Sequence, residues 1–382
     1  MLQNIIIENF RGIEKLEIKN FKRVNLFTGK NNSGKTSVLE AIFFSLKPYV
    51  KALIDVYAVR SLPFTATYDN VQNSLKNPSP RWQHMFGFLR NNGIDVRNTS
   101  ITTTSNFEKL EIERTIVIKP FYSSSEYIKC NQQSFAEISK MNSIRYQDSD
   151  FLYITSRDKT LNKDSFFTTG IGKEIADSCN VAKAMAFDQE AKSKKDETIK
   201  YPKFNIFYIP ANVHNHQFVK DKFNNIKNDD FFKKNMLIFL KKIDNSIKAF
   251  AFDGNGDIEF ELENETHLNF GLAGDGIKKI FSILCMIYEC RNGVLLTDEI
   301  DNGMHFSIQK DFWQIVLEAC EKFNVQLFAT THSGEMIEAL NKNLDSNDSN
   351  EISKIFSISR NRVFEYDEKA IEIAIDNDLE VR

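Results

Sequence analysis

The sequence predicts an α/β fold, a mixed sheet with flanking helices, and three observations lead to that class. β-branched and aromatic residues partly alternate with polar ones in "LQNIIIENF" and "EKLEIKNFKRVNLF", which is typical of strands that run into a glycine turn. The stretch "SVLEAIFFSL" is helical in composition and stops at Pro48, because proline cannot continue a helix. Much later, "GVLLTDEID" (293–301) is an apolar strand that ends in carboxylates.

The middle of the chain contributes further elements of both kinds. "RWQHMFGFLR" (81–90) and the segment 171–195 are predicted helices, and the alternating segment 107–118 is a predicted strand. "FNIFYIPA" is a buried strand, "NDD" caps a helix through "FFKKNMLIFLKKI", and "IKAFAFDGNGDIEFEL" is a hairpin whose turn permits positive φ. Three more helices and the strands "VLLTDE" and "VQLFAT" follow, whereas the pattern between about 120 and 205 is weak.

Length and charge limit the function classes. A chain of 382 residues with 42% hydrophobic residues can fill one large core or two ordinary ones. A formal net charge of −3 gives no support to a protein that coats nucleic acid generally. Residues 191–250, however, hold thirteen lysines and six acidic residues, a balance of +7 that leaves −10 elsewhere. Such a block is usually solvated surface, and contact with DNA or an acidic partner is the alternative.

Cysteine usage and the N-terminus indicate the compartment. The five cysteines are odd in number and lack the paired short spacings of a zinc site, which is typical of a reducing, cytoplasmic chain. "MLQNIIIENFRG" has no basic leader followed by an apolar core, so no signal peptide is expected. The apolar runs fall short of the roughly 20 residues that a membrane span needs. We therefore expect no membrane partner.

One segment has the pattern of a phosphate-binding loop. Gly29 to Thr36 fits G-x-x-x-x-G-K-[ST] and lies between a strand and a helix, which is the context that this motif requires. Gly29 and Gly34 let backbone N–H groups face phosphates at a helix N-terminus, Lys35 would neutralise the β- and γ-phosphates, and the Thr36 hydroxyl would coordinate Mg²⁺. ATP and Mg²⁺ are the predicted cofactors. The remaining expected nucleotide contacts are Lys30, Asn31, Asn32, Ser33 and Ser37.

The acidic strand end would complete such a site. Asp298 is predicted to hold Mg²⁺ through water, and Glu299 to orient and activate the attacking water as general base. The alternative is an ordinary strand followed by an acidic turn. Lys35 and Asp298 are more than 260 residues apart, whereas small GTPases and simple kinases complete the site much sooner.

A split site with an inserted middle resembles the ABC-type heads of the SMC, RecF and OLD (overcoming lysogenization defect) ATPases. "NFRGIEKLEI" (9–18) resembles their opening strands, with Arg11 where a nucleotide-contacting arginine is commonly found. "LAGDGIKKIFSIL" (272–284) occupies the place of their signature motif. The resemblance implies that Gly274, Asp275 and Gly276 face the γ-phosphate of the other subunit's ATP. The alternative is a glycine turn that caps an ordinary helix.

Two further segments extend the resemblance. "QLFATTHS" (326–333) ends at His332, which resembles the switch histidine that senses the γ-phosphate, although a lone histidine is more often structural. Asp301 to Gly303 lie where the loop after the acidic strand, the D-loop, would run, and Gln217 is a weak candidate for the Q-loop glutamine. "LLTDEIDNGMHFSIQKDFW" and "QLFATTHSGEMIEAL" look like the stand-alone OLD-like AAA ATPases of bacteria, a group related to AriA of the PARIS anti-phage system.

The resemblance is specific over residues 1–50 and 265–382 and holds only in outline between them. About 50 residues follow His332, so we expect no TOPRIM nuclease domain. The sequence lacks long heptad repeats, so we also expect no coiled-coil arm. The expected organisation is a P-loop ABC-type ATPase head formed by an N-terminal lobe (1–120) and a C-terminal lobe (246–382), with an α/β insertion (121–245).

The function that the resemblance implies is an ATP-driven switch. Two copies would close around ATP and act on a separate effector, such as a TOPRIM-type nuclease, in anti-phage defence. The alternative is a RecF-like ATPase of DNA repair that binds DNA through residues 191–250. A transporter motor is disfavoured by the inserted middle of the chain.

Overall fold

The structure is a computed structural model, and it describes most of both ends of the chain and a smaller part of its middle. The described residues are 1–47, 99–107, 110–121, 151–159, 164–172, 205–209, 211, 226, 228–252, 258–344, 352–359, 361–366 and 373. The helix predicted at 81–90 lies outside them, as does the one predicted at 171–195 apart from its first two residues, which end a strand.

The described elements are named in chain order. The strands are β1 Leu2–Phe10, β2 Ile13–Ile18, β3 Val24–Thr28, β4 Thr99–Phe107, β5 Leu110–Phe121, β6 Phe151–Lys159, β7 Asp164–Gly172, β8 Ile206–Ile209, β9 Ile247–Phe252, β10 Ile258–Leu262, β11 His267–Asn269, β12 Val294–Thr297, β13 Gln326–Thr330, β14 Ser353–Ser359 and β15 Arg362–Tyr366. The α-helices are α1 Lys35–Leu46, α2 Asp230–Ile243, α3 Asp275–Glu289, α4 Gln309–Lys322 and α5 Gly334–Leu344, and short 3₁₀ helices span Phe270–Leu272 and Phe306–Ile308.

The chain divides into two compact units that are each discontinuous in sequence. Unit 1 contains residues 1–21, 32–202 and 359–363, and unit 2 contains residues 22–31, 203–358 and 364–382. These units follow spatial contacts rather than the three predicted segments, whose boundaries stay a prediction.

Unit 1 is an antiparallel sheet with one described helix against it. The strand order is β2-β1-β4-β5-β6-β7, and α1 packs against β1, β4 and β5. The apolar residues Leu2, Ile5, Ile7 and Phe10 of β1 are buried, and the Phe10 ring meets the Phe44 ring of α1 edge-on at 5.9 Å between centroids. Arg114 Nη1 donates to the Ser45 carbonyl at 3.0 Å, which ties β5 to the last turn of α1. Helix α1 ends at Leu46, just before Pro48, as predicted.

Unit 2 has a six-stranded sheet in the order β15-β14-β3-β13-β12-β8 and a three-stranded sheet in the order β11-β10-β9. The pairs β14–β3, β3–β13, β13–β12 and β12–β8 are all parallel. Every residue of β3, β12 and β13 is buried, as expected of parallel strands covered on both faces. The position just before β12 requires glycine, because a Cβ at Gly293 would lie 2.0 Å from the carbonyl oxygen of Asn205 on the neighbouring chain segment.

The helices of unit 2 pack through an aromatic cluster. Tyr288 of α3 lies 5.0 Å from Phe232 of α2 and 5.1 Å from Phe323 between ring centroids. The Asp229 carboxylate accepts from the backbone N–H groups of Phe231 and Phe232, which confirms the predicted cap of α2. Tyr288 donates its hydroxyl to the same carboxylate at 2.5 Å, and this hydrogen bond lowers the pKa of Asp229.

The α/β class is confirmed, as are the strands β3, β5, β8, β12 and β13. The predicted hairpin is β9 paired antiparallel with β10, and its "DGNGD" turn lies outside the described residues. Strands β4, β6, β7, β14 and β15 were not predicted. None of the helices in the described part combines the length and apolar character needed to cross a membrane.

Candidate nucleotide-binding site

The loop between β3 and α1 turns through positive φ three times. Gly29, Asn32 and Gly34 have φ of 141°, 62° and 106°. Such alternation lets successive backbone N–H groups face one side, as a phosphate-binding nest requires. Gly34 occupies the N-cap of α1 and offers no side-chain hydrogen bond there. An anion in the loop would therefore serve as the cap of α1, with the helix dipole in its favour.

The predicted loop residues differ in exposure. Lys35 opens α1 and is 5% exposed, and Ser33 is 7% exposed. A lysine this buried at a helix start is well placed for an anion rather than for solvent. The half-buried loop residues are Thr36 and Ser37, and the exposed ones are Lys30, Asn31 and Asn32.

The acidic end of β12 is held by a threonine from the next strand. Thr330, at the end of β13, donates its hydroxyl to Asp298 Oδ1 at 2.5 Å, and the Thr330 hydroxyl oxygen accepts from the Glu299 backbone N–H at 2.8 Å. The Ile300 N–H donates to the Thr330 carbonyl at 3.0 Å. One buried residue of β13 thus fixes three successive residues after β12. Sequence reasoning missed Thr330; the signal was its position two residues before His332.

Glu299 stands out by its backbone. It has φ of 49°, in the left-handed region that a glutamate seldom adopts. Such a residue costs on the order of 1 kcal/mol and persists where its surroundings fix it. Here the fixing contacts are the Thr330 hydroxyl on its N–H and the Asn302 N–H, which donates to the Glu299 carbonyl at 3.0 Å. The backbone, rather than the carboxylate, therefore sets the direction of the side chain.

The loop after Glu299 is anchored to the segment that contains His332. Thr331 donates its hydroxyl to Asp301 Oδ1 at 2.6 Å, and its N–H donates to the Phe27 carbonyl at 3.0 Å. The Ser333 N–H donates to the Thr331 hydroxyl at 3.0 Å. His332 is half-buried between these two anchored residues. This places His332 at the same strand edge as Asp298, in unit 2.

The predicted signature segment forms the start of α3. Gly274 is its N-cap with φ −60° and ψ 145°, again without a side-chain cap. A Cβ at Gly274 would meet nothing within 4 Å, whereas one at Gly276 would lie 2.5 Å from Ile308 Cδ1. The Asp275 carboxylate pairs with Lys278 Nζ at 2.7 Å. Because like charges repel, Asp275 could contribute only its backbone N–H to a bound phosphate.

The buried side chain of Lys279 should make the free energy of unfolding depend on pH. The side chain is 6% exposed, and burial lowers its pKa from the ordinary 10.5 to about 7, while the Asp301 carboxylate acts in the opposite direction. At pH values between about 7 and 10.5, Lys279 is therefore more protonated in the unfolded chain than in the folded one. The free energy of unfolding should therefore rise with pH from about 7 to about 10.5, by up to about 1.4 kcal/mol per pH unit.

Lys279→Met should lose this slope. In urea unfolding at pH 7 and pH 8.5, we expect the wild-type free energy of unfolding to rise relative to that of the variant by up to about 2 kcal/mol. Lys278→Met, which removes a more exposed lysine of the same helix, is the control and should keep the slope. Parallel pH profiles for wild type and Lys279→Met would contradict the assigned pKa.

In unit 1 the structure places Arg11 against α1. Arg11 Nη1 lies 2.8 Å from Glu40 Oε2, and the two side chains are 13% and 0% exposed. The turn that contains Arg11 thus faces the helix that begins with Lys35. Sequence reasoning missed Glu40, whose only local signal is a carboxylate within an otherwise apolar helix face.

The donor set fits Mg²⁺. The predicted ligands, the Thr36 hydroxyl and the Asp298 carboxylate, are hard oxygen donors of the kind that Mg²⁺ prefers alongside water and phosphate. Asp298 is 8% exposed and is kept in place by Thr330. Among the described residues no group of three or more His, Cys, Asp or Glu side chains forms an all-protein metal cage.

The basic block is partly neutralised where the structure describes it. Lys241 pairs with Glu263 at 3.7 Å, Lys242 with Glu318 at 2.5 Å and Lys248 with Glu261 at 2.5 Å, and the three glutamates lie outside residues 191–250. Such exposed pairs add little stability but lower the positive potential available to DNA. Gln217, the candidate Q-loop residue, lies outside the described residues.

The structure brings Asp298, Glu299, Asp301 and His332 to one edge of the unit 2 sheet, beside the end of β3, where Gly29 begins the phosphate loop. Lys35, Thr36 and Arg11 belong to unit 1, around the start of α1. Because β13 lies between β3 and β12, one residue of β13, Thr330, bonds both the Asp298 carboxylate and the Glu299 backbone N–H.

Comparisons with known proteins agree with a nucleotide site. A family model described as an AAA ATPase domain matches residues 1–337. An ATP/GTP phosphatase of Helicobacter pylori is 20% identical over 374 residues, which cover 94% of this chain and 93% of that protein. A DNA replication and repair protein RecF of Francisella tularensis subsp. holarctica is 25% identical over 178 residues, 42% of this chain and 51% of that protein. The aligned region therefore spans about half the length of that RecF.

Among solved structures, the chain is similar to an Smc head domain with an extended coiled coil bound to the C-terminal domain of ScpA, derived from Pyrococcus furiosus. The TM-score is 0.48 with 11% sequence identity, over 99% of both chains.

Proposed function

This chain belongs to the AAA ATPase domain family, and from that premise we propose that it is a Mg²⁺-dependent ABC-type ATPase whose two copies close around ATP. The observation that carries the proposal is the Thr330 hydroxyl, which bonds the Asp298 carboxylate and the Glu299 backbone N–H beside the strand that enters the phosphate loop. The name of the Helicobacter relative, an ATP/GTP phosphatase, supports hydrolysis as the reaction.

Each residue then has a defined task. Backbone N–H groups from Gly29 to Thr36 bind the phosphates, and Lys35 balances their negative charge. Glu299 accepts a proton from the attacking water, and Asp298 and Thr36 hold Mg²⁺. Mg²⁺ supplies charge neutralisation at the phosphates when bound. His332 is proposed to contact the γ-phosphate from the end of β13.

The second copy would contribute its signature segment. Gly274 opens α3 without a side-chain cap and with open space around its Cα, so an external phosphate could approach the first N–H groups of α3. Binding of ATP between two copies, and loss of that contact after hydrolysis, would make the protein a switch. We propose a homo-oligomer, at least a dimer.

We propose that the switch serves anti-phage defence with a separate effector, such as a TOPRIM-type nuclease. This rests on the resemblance of the segments around Asp298 and His332 to OLD-like ATPases. The alternative is a RecF-like DNA repair function, which the name of the Francisella relative supports. The pairing of Lys241, Lys242 and Lys248 with outside glutamates weakens that alternative, because these lysines are not a free basic surface.

Capture of the partner distinguishes the two functions. Glu299→Gln, held in its ATP-bound form, is to be purified with ATP from its native cells and its partners identified by mass spectrometry. Lys35→Ala, which should not bind ATP, is the matched control. We expect a stoichiometric nuclease with Glu299→Gln that is absent with Lys35→Ala. DNA without an effector protein, released by salt, would instead favour the repair function and overturn the defence proposal.

A further inference from the structure

The turn between β1 and β2 is fastened to α1 at three levels. Phe10 packs on Phe44 at 5.9 Å between ring centroids, Arg11 pairs with Glu40 at 2.8 Å, and Ile13 Cγ1 lies 3.6 Å from where a Cβ of Gly34 would be. All of these residues are in unit 1. The turn therefore follows α1 from its third turn back to the phosphate loop.

The spacing on α1 shows which face the turn follows. Thr36, Glu40 and Phe44 are each four residues apart, so they share one face of α1 at intervals of roughly one helical turn, about 5.4 Å. Thr36 is the predicted Mg²⁺ ligand on that face. Since Glu40 is one turn away from it, the Arg11 guanidinium is held about one turn from the first residues of α1.

The backbone around Arg11 adopts an unusual conformation. Arg11 and Asn9 have φ of 54° and 53°, both in the left-handed region, on either side of Phe10. Holding two such residues costs on the order of 1 kcal/mol or more each. A fold that keeps these costs and also buries an ion pair is placing the cation at a particular position.

Stability alone explains the pair poorly. Taking a carboxylate with 0% side-chain exposure and a guanidinium with 13% out of water is expensive. Replacing such a pair by packed apolar residues is often neutral or stabilising, whereas removing one partner is strongly destabilising. A structural pair and a positioning pair therefore behave differently when both residues become apolar.

We propose that Glu40 is the positioning residue of Arg11, holding its guanidinium so that it contacts a phosphate of the nucleotide bound at the phosphate loop. This inference rests on the proposed nucleotide binding. Glu40 also balances the Arg11 charge before the nucleotide arrives. A phosphate is the group that a planar guanidinium fits best, through paired N–H donors.

The test uses the apolar double variant Arg11→Met/Glu40→Leu. We expect it to unfold at a temperature no lower than that of wild type and yet to bind ATP at least about tenfold more weakly, since one phosphate contact is lost. Arg11→Ala should weaken ATP binding equally. Glu40→Gln should weaken it through Arg11, so that Arg11→Ala/Glu40→Gln binds no more weakly than Arg11→Ala alone.

The matched control is the exposed ion pair of the same hairpin, Lys15 with Glu8 at 3.0 Å. Lys15→Met/Glu8→Gln should keep wild-type ATP affinity. Wild-type affinity in Arg11→Met/Glu40→Leu, or losses that multiply in Arg11→Ala/Glu40→Gln, would overturn the positioning role. If Lys35→Ala also kept its ATP affinity, the proposed nucleotide site itself would fail, so the two failures are distinguishable.

Discussion

Glu299→Gln should bind ATP with near wild-type affinity and hydrolyse it about 10²–10⁴-fold more slowly, the usual contribution of a general base. Glutamine keeps the size and shape of glutamate but cannot accept the proton of the attacking water. The Mg²⁺ ligand should be undisturbed, because Thr330 holds Asp298 through a separate hydrogen bond. The measurement is single-turnover hydrolysis together with an equilibrium ATP titration.

The backbone of residue 299 makes this variant informative. Its left-handed conformation is fixed through its N–H by Thr330 and through its carbonyl by Asn302, neither of which involves the carboxylate. The substituted side chain should therefore point where the glutamate does. Glu321→Gln, at an exposed position of α4, is the control and should hydrolyse ATP as wild type does. Undiminished turnover in Glu299→Gln would exclude Glu299 as the base.

The elements around this base could be predicted because their signals are local. Strands β3, β12 and β13 are uninterrupted apolar segments, and all of their residues are buried in the parallel sheet. The loop pattern requires a helix directly after it, and α1 begins at Lys35. A short segment that must be buried on both faces shows this in its own composition.

Strands β4 and β6 could not be predicted in this way. "TSITTTSNF" and "FLYITSRDK" are rich in Ser, Thr and charge, and neither has a strong apolar period. Their pairing is with distant residues: the register sets Glu113 opposite Lys159 and Arg114 opposite Asp158. The information that sets this register is divided between segments far apart in sequence.

The supporting residues of the site escaped sequence reasoning for the same reason. Thr330 and Asp298 are 32 residues apart and meet only because β13 lies beside β12. The role of Glu40 can be inferred only when Arg11 is known to lie beside it, and that contact depends on how the β1–β2 turn packs on α1. Motif patterns identify the groups that would touch the nucleotide, whereas the residues that orient them are set by tertiary contacts.

The second large effect is expected at Gly274. Gly274→Arg in the Glu299→Gln background should keep wild-type ATP affinity and lose ATP-dependent dimerisation, with the dimer dissociation constant raised by at least about 100-fold (roughly 2.7 kcal/mol). A Cβ at Gly274 meets nothing within 4 Å and φ of −60° suits any residue, so the arginine should leave the protomer unchanged. Its bulk would stand where the partner's γ-phosphate must approach.

Gly276 is the less suitable position, although it lies in the same segment. A side chain there meets Ile308 at 2.5 Å within the same unit, so lost association could come from a local shift of α3. Gly274→Ala, with a single added methyl group, is the matched control and should dimerise as Glu299→Gln alone does. Light scattering with and without ATP measures the outcome, and an unimpaired Gly274→Arg dimer would exclude the start of α3 from the interface.

Mixing two inactive variants tests whether the contact is made between copies. Both variants here keep Glu299. Lys35→Ala retains its signature segment but lacks a working phosphate loop, whereas Gly274→Arg retains the phosphate loop and has a blocked signature segment. If each site joins the loop of one copy to the signature segment of the other, the mixed dimer has one intact site, while each variant alone has none. Hydrolysis should therefore reappear on mixing, up to about half of the wild-type rate for a dimer with one of two sites intact. If the mixture does not hydrolyse ATP, each copy completes its own site.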